Sequence, residues 1–68
     1  MEKIKINTDF IKLDSFLKWS GIANMGSEAK FLIKNGMIKV NSEVEIRRGK
    51  KIYKGDKVEF NNKVYIIE

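Results

Sequence analysis

The 68-residue chain contains no cysteine, no histidine and no proline. Without cysteine there is no disulfide, and without cysteine or histidine neither zinc nor an iron–sulfur cluster finds its usual ligands. A domain of this length buries only about 60% of the surface its unfolded chain exposes, and such domains commonly rely on a covalent or metal staple. This one must hold by packing alone. The same absences remove the Ser-His-Asp triad, the Cys-His dyad and any imidazole general base. Only carboxylates, lysine and tyrosine are left for catalysis, in a fold with little room for a deep pocket. The expectation is a single domain over residues 1–68 that is not an enzyme and takes no cofactor, metal or small-molecule substrate. Long apolar runs are missing too. The longest is Val64-Tyr65-Ile66-Ile67, against the ~20 residues of a membrane-spanning helix. The first ten residues, MEKIKINTDF, alternate charged and apolar side chains rather than forming a signal peptide's apolar core. A monomer in the cytoplasm, with no membrane partner, is expected.

What the sequence has is positive charge, unevenly placed. Residues 1–29 balance four lysines against four acids. Residues 30–57 hold nine basic residues against three acids, and residues 58–68 are slightly acidic. Charge concentrated on one segment is the electrostatic footprint of a nucleic-acid or anionic-surface binder. The competing reading is a solvated face that keeps the protein soluble.

The hydrophobic pattern changes period along the chain. Lys3-Ile4-Lys5-Ile6 alternates with period two and suggests a short strand. Leu13, Phe16 and Leu17 share one face of a helix from Leu13 to Ser20, with Asp14 in its first turn and Gly21 suited to its end. Ile22 to Gly26 reads as a loop. Ser27 is then the expected N-cap of a second helix, whose face carries Ala29, Leu32 and Ile33 and which Gly36 terminates. From Ile38 onward the period returns to two. Ile38, Val40, Val44, Ile46, Ile52, Val58, Phe60, Val64 and Ile66 read as one buried sheet face, broken by turns at Asn41-Ser42, Lys54-Gly55-Asp56 and Asn61-Asn62. The order is about β-α-α-β-β-β-β, an α+β fold with two short helices on a small, mostly antiparallel sheet.

Two groups of cations stand out. With Ala29, Leu32 and Ile33 turned inward, steps of about 100° bring Ser27, Lys30 and Lys34 together on the outer side of the second helix. Two cations one turn apart, beside a helix N-terminus, suit a phosphate. Phe31 lies on that side as well, where it could stack on a base; packing beneath a neighbouring strand is the expected role. Arg47-Arg48-Gly49-Lys50-Lys51, read as a hairpin loop, is the densest cluster. Like charges this close repel unless an anion offsets them, its arginines can grip phosphate bidentately, and Gly49 permits close backbone approach. Lys18 points away from the apolar face. Trp19 is expected half-buried at the edge of the core.

The ordered set Lys12-Leu13-Asp14-x-Phe16-Leu17, Gly21, Ser27-Glu28-Ala29-Lys30, Leu32-Ile33-x-x-Gly36-x-Ile38-x-Val40-Asn41 and Gly55-Asp56-x-Val58 resembles the S-four-like RNA-binding domain, the αL motif, over about residues 12–60. Within it, the Gly26-to-Lys30 and Arg47-to-Lys51 stretches are similar to the small stand-alone bacterial YaaA-like members. The chain departs from the pattern at Met25-Gly26, where Ser-Arg is usual, and at Asn41-Ser42 in place of Asn-Gly. The resemblance implies an RNA-binding module for structured, ribosomal RNA, serving ribosome assembly or translation. Its RNA-binding set would be Lys12, Lys18, Ser27, Lys30, Lys34, Lys39, Asn41, Arg47, Arg48, Lys50 and Lys51. Lys12 stands where the family usually has arginine. The alternative is a protein-interaction module whose basic face meets an acidic partner; exposure of Phe31 or Trp19 would favour it. Duplex DNA is the weaker reading, because the second helix offers no set of base-reading side chains.

Overall fold

In the computed structural model, which describes residues 1–68, the elements run β1 (Glu2–Ile4), β2 (Phe10–Lys12), α1 (Leu13–Trp19), α2 (Gly26–Lys34), β3 (Lys39–Val40), β4 (Glu43–Val44), β5 (Lys51–Tyr53), β6 (Lys57–Phe60) and β7 (Lys63–Ile67). Leu13, Phe16 and Leu17 of α1 and Ala29, Leu32 and Ile33 of α2 are all buried, as the helical spacing requires. They pack in one core with Ile38, Val40, Ile52, Val58, Tyr65 and Ile67. Both helices end as the glycines indicate. Gly36 (φ +71°) follows the C-cap of α2. Its N–H donates to the Ile33 carbonyl and that of Met37 to Leu32, both at 3.1 Å, the pair of bonds that defines a Schellman end.

The start of α2 differs from expectation. The helix begins at Gly26 with Met25 as N-cap, and no side chain caps it, so Ser27 lies inside the first turn. Glu28 reaches back instead, its carboxylate accepting the Asn24 N–H at 2.8 Å. Backbone donors at the head of α2 are therefore left without a side-chain cap.

Five strands form a mixed sheet in the order β1-β7-β6-β3-β4, in which only the β1–β7 pair is parallel. β2 and β5 form a separate antiparallel ribbon. The expected order therefore lacked two strands, β2 at Phe10–Lys12 and one of the five that follow α2, and merged two sheets into one. The segment from Arg47 to Lys51 is not a hairpin tip: it links the edge of the large sheet to the ribbon.

Two tight turns decide which side chains face the core. Asn41 and Ser42 both have positive φ (51° and 74°), as do Asn61 and Asn62 (53° and 66°), the signature of type I′ hairpins. A two-residue turn at 61–62 pairs Phe60 with Lys63 and so Val58 with Tyr65. Cross-strand partners share a face. Val58 is buried, hence Tyr65 and Ile67 are buried with it. Val64 and Ile66, expected inside, lie on the outer face and are half-buried. Likewise the turn at 41–42 pairs Lys39 with Val44. Val44 and Ile46 are exposed, contrary to the expected core. Phe60 is half-buried against the core edge.

The Gly55-Asp56 turn fastens the sheet to the ribbon. Gly55 has φ +95°, a conformation that side chains resist. The Asp56 carboxylate accepts the backbone N–H of Tyr53 at 2.8 Å and the Asn41 side-chain amide at 3.2 Å. The Asn41 side-chain oxygen in turn accepts the Lys57 N–H at 3.0 Å. One carboxylate thus links β5 to the β3–β4 turn. Asp56→Ala is expected to lower stability by about 1–2 kcal/mol, with Asp56→Asn losing less because it keeps an acceptor. Urea denaturation of the three proteins checks this, and coincident midpoints would show that the carboxylate holds nothing.

Candidate nucleic-acid interface

The basic segment is held at the head of α1 by its own backbone. The Leu13 N–H donates to the Lys50 carbonyl at 2.8 Å and the Asp14 N–H to the Arg48 carbonyl at 3.1 Å. These bonds satisfy helix donors that otherwise lack partners, while the Asp14 carboxylate accepts the Ser15 N–H at 2.8 Å. With its backbone thus docked, the loop carries Arg48, which is exposed, and Lys50, which is half-buried. Gly49 neither has a positive φ nor sits against any atom within 4 Å, so nothing in the fold demands glycine there.

Arg47 forms the single ion pair of the structure. Its Nε and Nη2 donate to the two carboxylate oxygens of Glu45 at 2.9 and 3.1 Å. The backbone N–H of Arg47 adds a third bond, at 3.0 Å. Glu45 is brought there by the hairpin register, which places it across from buried Ile38; its side chain is only 13% exposed. The Arg47 hydrogen bonds hold its carboxyl down to about 2 against a partial burial that pushes the other way. The Arg47 guanidinium is thereby oriented by a carboxylate and partly occupied.

Lys12 closes β2 and stands directly across from Lys51 of β5, so the ribbon ends in two facing cations beside the docked loop. Both are exposed. On α2, Ser27, Lys30 and Lys34 are exposed opposite the buried face, as the spacing requires. Phe31 is 60% exposed beside them; no strand covers it. Trp19 is 59% exposed rather than a half-buried core edge, with its indole N–H donating to the Lys5 carbonyl at 3.0 Å. Lys18 is exposed in the last turn of α1. Asn41, Arg47 and Lys50 line one shallow depression that also holds Glu43 and Glu45, but the Asn41 side chain is committed to Asp56 and Lys57. Lys39 stands apart. The register puts it on the outer face of the sheet, across from Glu59 and Val44.

The αL arrangement of two helices with a basic loop docked on the first is matched across most of the chain. A family model for the S4 domain covers residues 4–68. The chain belongs to the S4 domain family. This S4 domain is 41% identical over 56 residues to the probable ribosome maturation protein RlbA of Bacillus subtilis strain 168, covering 82% of this chain and 79% of that one. Its fold matches the solution structure of YbcJ from E. coli, described as revealing an αL motif involved in RNA binding, with a TM-score of 0.73 and 29% identity over 98% of this chain and 86% of that one. The 30S ribosomal protein S4e of Thermoplasma acidophilum shares the fold, with a TM-score of 0.66 and 20% identity, over 88% of this chain and 32% of the larger protein. No helix of this S4 domain is long and apolar enough to cross a membrane.

Sequence reasoning missed two parts of the surface. Glu45 was legible from the two-residue turn, which fixes its partner as Ile38. Phe10 and Tyr53 were legible as the neighbours of the inward Ile11 and Ile52 once β2 is recognised as a strand. The pH dependence of the Glu45–Arg47 pair follows from its sign. A carboxyl held at about 2 in the folded chain, against 4.5 for an unperturbed one, stabilises the fold fully above pH 4.5, and that contribution disappears as pH falls toward 2. Glu45→Gln is therefore expected to be less stable than the parent at pH 6, with the difference shrinking to nothing near pH 2. Paired denaturation curves across this range test it; a difference independent of pH would mean the pair contributes nothing.

Proposed function

We propose that this S4 domain is a non-catalytic RNA-binding module that recognises structured ribosomal RNA, mainly through shape and phosphate contacts, during ribosome maturation. The observation that carries this is the docked basic loop. Arg48, Lys50 and the facing Lys12–Lys51 pair are gathered at one end of α1 with no carboxylate within ion-pair distance. Repulsion among such cations costs stability, and an anion offsets it. Lys30, one turn from the uncapped donors of α2, extends the set in the manner of a helix-end phosphate site, and Lys34 continues the same exposed face into the last turn of the helix. A-form RNA hides its base edges in a deep groove, which makes backbone and 2′-hydroxyl contacts the natural mode. RlbA is named a probable ribosome maturation protein, and the YbcJ structure is described as revealing an αL motif involved in RNA binding; the two support the two halves of this reading. Arg47, paired with Glu45, acts as a positioned member, Asn41 as a support, and Lys39 and Lys18 as peripheral charge.

A second reading has a specific observation behind it. Phe31 and Trp19 are both well exposed, and exposed aromatics are common anchors of protein interfaces. An acidic protein would then meet the basic face.

With about six phosphates contacted, log K for a ribosomal RNA fragment is expected to fall with log[salt] at a slope of about −4 to −5. Arg48→Glu combined with Lys50→Glu should shallow that slope by about two. A slope near zero removes the phosphate mechanism. Capture from cells before and after ribonuclease separates the two readings, since partners that survive the nuclease support the protein interface.

A further inference from the structure

The outward row of the β2–β5 ribbon has a composition that the fold does not require. In its register, Ile11 pairs with Ile52, which is fully buried, and these point inward. The other two pairs, Phe10 with Tyr53 and Lys12 with Lys51, lie on the outward side, where Tyr53, Lys12 and Lys51 are exposed and Phe10 is half-buried. The Phe10 and Tyr53 rings lie 5.9 Å apart, tilted by 47°. The Lys51 ammonium sits 4.8 Å from the centroid of the Phe10 ring. Tyr53 stays 49% exposed. Lys12 and Lys51 are like charges directly across a strand pair, an arrangement that destabilises a sheet.

We propose that this row is a subsite for an unpaired nucleotide, with the Tyr53 ring stacking on the base and Lys51 and Lys12 meeting the adjoining phosphates. The inference rests on the RNA-binding reading and sharpens it: the RNA would present a bulged or single-stranded residue next to its duplex. Three observations converge. An exposed π-face is what a base of any identity can stack on. Cations one register step away match the charge of the backbone that follows. The ribbon is also continuous with the docked loop, since Lys51 follows Lys50, whose carbonyl caps Leu13, and Lys12 precedes that same helix start. Tyr53 is the platform rather than Phe10 because the Lys51 ammonium already covers a face of the Phe10 ring. An acidic protein surface could satisfy the two lysines but would leave the ring without a stacking partner.

The test compares two fluorescein-labelled strands of equal length and charge, a 12-residue oligoadenylate and its abasic counterpart, titrated against the full chain at low salt. The parent protein is expected to bind oligoadenylate about tenfold more tightly than the abasic strand, within the range that a single base–aromatic stack supplies. Tyr53→Leu should abolish that preference and leave abasic binding unchanged, while Tyr53→Phe should keep it. Equal loss on both strands, or no loss on either, overturns the subsite. Crosslinking of the unmodified chain to a 4-thiouridine strand gives a readout independent of the variants. Adducts on residues 51–53 support the subsite and adducts confined elsewhere overturn it. If the parent protein binds neither these strands nor a ribosomal RNA fragment, the RNA reading itself fails; if it binds RNA but is indifferent to Tyr53→Leu, only the subsite fails.

Discussion

Two backbone hydrogen bonds, from Leu13 and Asp14 to the carbonyls of Lys50 and Arg48, are what turn a basic stretch of chain into a surface. A loop carrying four cations in five residues repels itself and in isolation would sample many shapes. Here the head of α1 needs acceptors, and the loop's carbonyls supply them. No side chain of the loop takes part in this docking, so the charged groups of Arg48, Lys50 and Lys51 stay available to solvent or to a ligand. It also explains how the basic cluster can be ordered in a chain that has neither cysteine nor histidine. The fixed point is a main-chain bond beside a buried leucine, Leu13, whose own packing shields it from water.

The two type I′ turns are the second constraint, and they account for features that look unrelated. The turn at Asn41-Ser42 sends Val44 and Ile46 outward and Glu45 toward the core side. Once there, Glu45 finds Arg47 two residues on and clamps its guanidinium. The turn at Asn61-Asn62 sends Tyr65 and Ile67 inward, where they close the core beneath the sheet. The Asp56 carboxylate then ties the first of these turns to β5. Register, ion pair and ribbon position are thus consequences of where asparagine accepts a positive φ. Asn-Gly is the usual turn of this motif, and Ser42 shows that a hydroxyl side chain can take the second position, at φ 74°.

Much of the fold was legible because its signals are local. Three apolar residues at helical spacing marked each helix, and Gly21 and Gly36 marked where they stop. What failed failed for non-local reasons. Period-two reasoning cannot choose the phase of Val64-Tyr65-Ile66-Ile67, in which every residue is apolar; only the register across the turn decides it. β2 is three residues long and runs straight into α1, so its period is swallowed by the helix that follows. Ser27 looks like a cap, but Glu28 closes the turn from inside and shifts the helix start to Gly26. In the candidate interface, the Lys30–Lys34 face followed from the helical period. The cluster at residues 47–51 was visible as charge, but its attachment to α1 and the facing Lys12–Lys51 pair were not, because each joins residues that the sequence separates or the strand pairing reassigns.

The same facts bear on why the surface looks as it does. A chain with fourteen basic and nine acidic residues could neutralise most of its cations internally, yet it does so for Arg47 alone. Exposed ion pairs would add little stability in any case, about 0–1 kcal/mol each, so leaving the lysines free costs the fold little. Setting them side by side costs more, and the structure bears that cost across the Lys12–Lys51 pair at the head of α1 and between Lys30 and Lys34, one turn apart on α2. Tolerated repulsion in two clusters, in a domain with small stability to draw on, is more economically explained by a polyanion that removes it than by solubility, which evenly scattered charge would serve as well. The location of the strain, more than the net charge of +5, is therefore the physical argument for an RNA ligand.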